Sequence, residues 1–196
     1  MSSLKTEIEL HPLTPFLPQN AEYLILGSFP PKRDRWSMEF FYPNFQNDMW
    51  RIFGLIFFDD KNYFVDTGQK RFKKEMIEEF LTKQGIAMYD TAKAVIRHKG
   101  NASDKDLEIV EATDIEKIIK KLSHLRNIIV TGQKASDIII AQFAEKNVRI
   151  TSPSVGEYTA FTFENRNLRL YRMPSSSRAY PLALEKKALI YRKIYT

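Results

Sequence analysis

Apolar residues along this chain fall into short unbroken runs and longer runs with a helical period. Residues 23–26, 86–89 and 127–131 are short and nearly continuous, as strands buried on both faces are. Residues 70–84 carry Phe72, Met76, Ile77 and Phe80 at helical spacing and end at Gly85, where a C′ residue belongs. Residues 133–145 set Ala135, Ile138, Ile139 and Phe143 on one side. A helix over 50–57 comes after Asn47 or Asp48, either of which can cap it, and Thr113 or Asp114 can cap another over 115–122. Residues 158–163 alternate as a strand, 164–167 turn, and 168–173 return. A last helix spans 181–194, with Pro181 in its first turn.

Residues 59–68 and 98–106 read as loops, and the proline-punctuated residues 1–20 as an extended arm. The alternation of strands and helices predicts an α/β fold. The expected form is a three-layer sandwich with a mostly parallel central sheet of about four strands, in one domain over residues 1–196.

Composition narrows the chemistry. The chain has no cysteine, which excludes disulfides, thiolate nucleophiles and thiolate-held iron–sulfur clusters. His11, His98 and His124 stand in unrelated contexts without metal-ligand spacing, so no metal is expected. No glycine-rich phosphate fingerprint occurs, so no nucleotide cofactor is expected either. No apolar run approaches a membrane span, and no signal-peptide core opens the chain, so a cytoplasmic, monomeric protein without membrane contact is the expectation. The net charge of +6 favours an anionic partner such as nucleic acid.

The first apolar run stops at Gly27-Ser28-Phe29-Pro30-Pro31. Gly27 allows positive φ or a close backbone approach, and the two prolines stiffen the loop beyond it. Open α/β sheets bind ligands beyond the carboxyl ends of their strands. Soon after come Phe41-Tyr42 and Asn47-Asp48-Met49-Trp50, which bring rings and amides, the groups a nucleobase pocket uses.

Five segments in order resemble the uracil-DNA glycosylase superfamily, closest to its hypoxanthine (deoxyinosine) branch. They are Gly27-Ser28-Phe29-Pro30, Phe41-Tyr42 with Asn47–Trp50, Gly85-Ile86-Ala87-Met88-Tyr89-Asp90, Ile129-Val130-Thr131-Gly132-Gln133-Lys134-Ala135, and Met173-Pro174-Ser175-Ser176-Ser177. The resemblance implies a monofunctional glycosylase that flips a deaminated base, hypoxanthine or uracil, out of DNA and hydrolyses its N-glycosidic bond. The alternative is a nucleic-acid or base-binding module that does not cleave. Some branches of the superfamily carry an iron–sulfur cluster, which a cysteine-free chain cannot hold.

The resemblance also assigns roles. The first motif holds neither Asn nor Asp, so the catalytic amide falls to Asn47, with Asn44 its nearby competitor. Asn47 could equally be an ordinary helix cap. Asp90, at the end of the second strand, is the second catalytic candidate, to orient a water or bond the pocket amides, or else to cap the segment at Thr91. Gly27, Ser28, Phe29 and Pro30 would line the base pocket, with Phe29, Phe41 or Tyr42 stacking on the base unless those rings are core. Ser175, Ser176, Ser177 and Arg178 would enter the groove and hold phosphates. The residues themselves add Lys32 and Arg33 as an electrostatic track, and Lys134 at a helix N-terminus, as contacts to DNA.

Overall fold

The computed structural model describes residues 7–98 and 106–195. In chain order its elements are β1 (Ile8–Leu10), β2 (Tyr23–Gly27), α1 (Met49–Phe58), β3 (Val65–Asp66), β4 (Arg71–Phe72), α2 (Lys74–Gln84), β5 (Ile86–Asp90), β6 (Ala92–Arg97), β7 (Leu107–Ala112), α3 (Ile115–Lys121), β8 (Asn127–Thr131), α4 (Gln133–Glu145), β9 (Glu157–Phe163), β10 (Arg166–Met173) and α5 (Leu184–Arg192). The part of the expected loop at 99–105 lies outside the described residues, as do residues 1–6 of the expected arm. No helix among the described residues is long and apolar enough to cross a membrane.

The three continuous apolar runs form the middle of the fold. The main sheet has the order β5-β2-β8-β10-β9. Every residue of β5 and β8 is buried, and all of β2 after Tyr23, because the sheet is covered on both faces. Pairing is parallel from β5 through β2 and β8 to β10, and antiparallel between β10 and β9. Among the described residues this sheet is therefore mixed and five-stranded, not a mostly parallel one of about four strands. The reason lies in the chain reversal before β10. Phe163 pairs with Arg166, so only Glu164 and Asn165 form the turn, both with positive φ (47° and 61°). That is the two-residue hairpin geometry that matches strand twist, and it is tighter than the expected turn over 164–167.

Local pairing also shortens one predicted helix. Arg71 and Phe72 pair with Asp66 and Val65, through a reversal that includes Lys70 at φ 49°. The helix expected from residue 70 therefore starts at Lys74, and the expected loop 59–68 contains strand β3. Gly85 closes α2 at φ 65°, as its position in the sequence requires. The cap of α3 is Asp114, whose side chain accepts from the Lys117 N–H.

The expected arm is stitched into the fold at two points. β1 joins β6 and β7 in a second, antiparallel sheet of order β1-β6-β7. Phe16 then exchanges two backbone hydrogen bonds with Met88, at 3.0 and 2.9 Å. These pairings carry His11 across the fold to the end of β5.

The last helix, α5, packs on α1 and buries a cation. Lys187 is fully buried and its Nζ donates to Asp48 Oδ2 at 2.9 Å and to the Ser177 carbonyl at 2.8 Å. One turn on, the buried Tyr191 hydroxyl donates to the Pro174 carbonyl at 2.7 Å. Asp48→Ala would leave the Lys187 ammonium buried without its counter-charge. Urea unfolding of that variant should show a loss of about 3–5 kcal/mol, with much of it restored by Asp48→Ala combined with Lys187→Met.

Burial pushes the hydroxyls of Tyr191 and Tyr195 well above their ordinary value. The unfolded chain ionises these groups near pH ~10 while the folded chain keeps its protons, so their contribution is complete below that pH and falls as pH rises above it. The urea midpoint should decline above pH ~10, and less steeply for the Tyr191→Phe, Tyr195→Phe double variant. Identical slopes in the two proteins would assign the alkaline loss to other groups.

Candidate active site

Strand register brings the motifs together. Gly27 pairs with Asp90, Leu26 with Val130, and Thr131 with Met173. The carboxyl ends of β2, β5, β8 and β10 therefore form one row, from which Ser28–Pro30, Thr91, Gly132 and Pro174–Ser177 emerge. Backbone bonds from Thr91 to the Gly27 carbonyl (2.9 Å) and from Ala92 to the Ser28 carbonyl (3.1 Å) extend the pairing past the strand ends.

Gly27 is the centre of this row. A Cβ placed on it would lie 2.4 Å from Asp90 Oδ1 and 3.3 Å from the Tyr42 hydroxyl. Its φ is not positive, so of the two roles open to this glycine the structure uses the close approach. Tyr42 itself has φ 49°, a strained conformation for an aromatic residue. Its hydroxyl lies 2.9 Å from Thr131 Oγ1, whose own proton points to the Leu26 carbonyl at 3.4 Å. The hydroxyl end of the half-buried Tyr42 thus stands between Gly27 and β8.

Asp90 faces the same point. Its side chain is 9% exposed, and Oδ2 receives His11 Nε2 at 2.8 Å. Oδ1 has no hydrogen-bond partner among the described residues and borders Gly27. The Asp90 backbone carbonyl accepts the Thr113 hydroxyl at 2.7 Å, which fixes the strand end. His11 contradicts its reading as a histidine in an unrelated context. It stands 79 residues from Asp90 in sequence, and only the β1–β6 pairing brings it there. No local pattern around His11 could have signalled it.

Of the three rings expected to stack, only Tyr42 stands beside Gly27. Phe41 is 3% exposed and belongs to the core. Phe29 is half-buried and packs on Ala92, Val95 and Leu107. Both border His11, with ring centroids at 6.4 and 5.3 Å, and Tyr89 lies at 4.6 Å. Ser28 is nearly buried, and Pro30 is buried with its carbonyl accepting Arg97 at 3.1 Å.

Asn47 and the serine loop form the second part of the row. The side-chain oxygen of Asn47, Oδ1, accepts the Met49 N–H at 2.9 Å, capping α1 from one residue outside its nominal N-cap. Asn44 makes the same kind of turn onto the Gln46 N–H, at 2.9 Å. Asp48, which the sequence marks only as a cap, makes no side-chain cap and is instead the counter-ion of Lys187. Its N–H donates to the Ser176 carbonyl at 2.9 Å, so the Asn47–Asp48 turn and the serine loop are joined. Ser176 is buried and Ser177 exposed. Ser175 Oγ accepts the Ser177 N–H, and Ser177 Oγ the Ala179 N–H. A Cβ on Gly132 would touch Ser175, so the loop lies beside the head of α4.

The cations divide. Arg178 is exposed, with Nε 3.7 Å from Asp48 Oδ1. Burial, then the nearby Arg178 charge, pull Arg51 below its ordinary value, and its guanidinium donates to the Phe45 and Asn47 backbone carbonyls. Lys32 is exposed. Arg33 pairs with Glu39 and lies over Trp36. Lys134 donates to the Leu107 carbonyl at the start of β7, an anchoring contact at the head of α4.

No family model and no curated protein matches the chain. Among solved structures, it is similar to the solution NMR structure of a "putative Uracil DNA glycosylase" from Methanosarcina acetivorans. The TM-score is 0.62 and the identity 20%, over 97% of this chain and 100% of the other. At that identity the similarity is one of fold.

The close approach at Gly27 gives a direct test. Gly27→Ala would force Asp90 or β2 to move, at a cost of about 1–3 kcal/mol for an overpacked site. Gly68→Ala meets its nearest atom at 3.6 Å, without positive φ, and should leave Tm unchanged. Equal melting temperatures for the two variants would contradict this packing.

Proposed function

We propose that this protein is a monofunctional DNA glycosylase of the uracil-DNA glycosylase superfamily, acting on a deaminated base, hypoxanthine or uracil. The observation that carries the reading is the meeting of Gly27, Asp90 and Tyr42 at the carboxyl edge of the sheet, beside the serine loop. The fold similarity over the whole chain supports it.

Cleavage of the bond between C1′ and the base leaves an oxocarbenium-like sugar and a base carrying negative charge. A flipped base enters against the Gly27–Pro30 loop, where Asp90 Oδ1 takes the place of the missing Cβ and Tyr42 stands beside it to stack on the base. Asp90 Oδ1 accepts a hydrogen bond from the base edge or from the attacking water, which it orients. Asn47 spends one lone pair of its side-chain carbonyl on Met49. Its amide N–H groups have no partner among the described residues and suit it to donate to a base carbonyl or a phosphate. Ser177 and Arg178 hold the phosphates on either side of the flipped nucleotide.

Labelled duplexes carrying uracil, hypoxanthine or xanthine, treated afterwards with alkali, test the activity. At least one of the first two should yield abasic sites. Asp90→Asn should slow single-turnover cleavage by about 10²–10³-fold, the loss typical of one preorganised polar group. Asn47→Ala should fall in the same range, with about 1 kcal/mol lost from folding through its cap.

The second reading, a base-binding module that does not cleave, draws on the engagement of the Asn47 side-chain carbonyl in a cap. It predicts salt-sensitive binding to the same duplexes and no abasic product.

A further inference from the structure

The contact between His11 and Asp90 is the feature of the site that the proposed reaction does not yet use. His11 is the residue after β1, and its N–H donates to the Lys93 carbonyl at 2.8 Å, one step beyond the Leu10–Ala94 pair. Its side chain is 1% exposed. Rings from Phe29, Tyr89 and Phe41 border it, so the imidazole has little freedom to turn.

The backbone at Leu13 constrains the protons on the ring. Nδ1 lies 3.1 Å from the Leu13 nitrogen and 3.0 Å from the Leu13 carbonyl oxygen. In the neutral ring the Leu13 N–H donates to Nδ1. In the doubly protonated ring Nδ1–H donates to the Leu13 carbonyl. Both arrangements leave the proton on Nε2, which then donates to Asp90 Oδ2. A ring protonated on Nδ1 alone would turn a bare lone pair toward a carboxylate at 2.8 Å, and that repulsion disfavours it.

We propose that His11 is a positioning residue for Asp90: its Nε2–H occupies Oδ2 and holds Oδ1 in place against Gly27. The proposal rests on the glycosylase reading of Asp90. Without His11 the carboxylate can rotate about its Cβ–Cγ bond, and Oδ1 loses its fixed direction in a place where a Cβ would already collide. The short β1–β6–β7 sheet then has a task in the site, which is to deliver this imidazole.

The test uses the full chain and variants at residues 11 and 90. His11→Leu removes the donor and keeps an apolar side chain. His11→Gln places an amide N–H where Nε2 stands. Single-turnover cleavage should slow by about 10²-fold in His11→Leu, the scale of a misplaced reacting group, and recover to within a few-fold in His11→Gln. Duplex affinity should stay within about twofold in both, because DNA contacts lie elsewhere. In an Asp90→Asn background, His11→Leu should cause no further loss, since it acts through that carboxylate.

Long-range 15N–1H spectra of the wild-type imidazole provide a readout that does not depend on cleavage. They should show a proton on Nε2 at every pH sampled, and Nδ1 protonated alone would overturn the proposal. A cleaving wild type whose rate is unaffected by His11→Leu, or whose loss is not rescued by Gln, also overturns it while leaving the glycosylase reading intact. A wild type that cleaves no duplex overturns the glycosylase reading, and His11 as its positioning residue falls with it.

Discussion

The close approach of the Asp90 carboxylate to Gly27 governs the arrangement of the rest of the site. Parallel pairing sets these two residues opposite each other at the ends of β2 and β5. With a side chain at residue 27 the carboxylate would have no room, since a Cβ would stand 2.4 Å from its oxygen. The Tyr42 hydroxyl stands against the same glycine, 3.3 Å from where a Cβ would lie, and Tyr42 holds a left-handed backbone at φ 49°. Strain of that kind persists only where surrounding contacts over-determine it. Here they are the Thr131 hydroxyl and the Trp50 ring.

The loops around this centre are held by buried polar contacts rather than by secondary structure. Lys187 and Tyr191 reach from α5 to the carbonyls of Ser177 and Pro174, and the Asp48 N–H reaches Ser176. A loop of small serines has little apolar surface of its own, so three hydrogen bonds from the helices supply its order. The same Asp48 carboxylate meets the buried Lys187 on one oxygen and the exposed Arg178 near the other. The anchored cation and the solvent-facing cation thus share one counter-charge, which leaves Arg178 the weaker-held of the two.

Much of this was legible because strong local signals coincide with buried structure. Continuous apolar runs marked β2, β5 and β8, and the ordered motifs marked the loops at their carboxyl ends. Gly85 stopped α2 where its sequence said it would. Long-range pairing was not legible in the same way. β1 has three residues and no distinctive pattern, so its place beside β6, and hence His11 beside Asp90, depended on contacts 79 residues apart. Phe41 and Tyr42 are adjacent and chemically alike, yet Phe41 is buried in the core while Tyr42, half-buried with positive φ, brings its hydroxyl to Gly27. Asp48 looked like a cap beside Asn47; that it is a buried counter-ion depended on Lys187, 139 residues away.

The proposed seat of one flipped base lies against Gly27, Tyr42 and Asp90. It is tested most directly by backbone and side-chain NMR of the full chain with a duplex carrying a 2′-fluoro deoxyinosine or deoxyuridine, in which the fluorine blocks cleavage. The largest shift changes should fall on Gly27–Phe29, Tyr42, Asp90 and Ser175–Ser177, and an unmodified duplex should leave Gly27 and Asp90 unmoved. Changes confined to surface lysines, identical for the modified and unmodified duplexes, would contradict it.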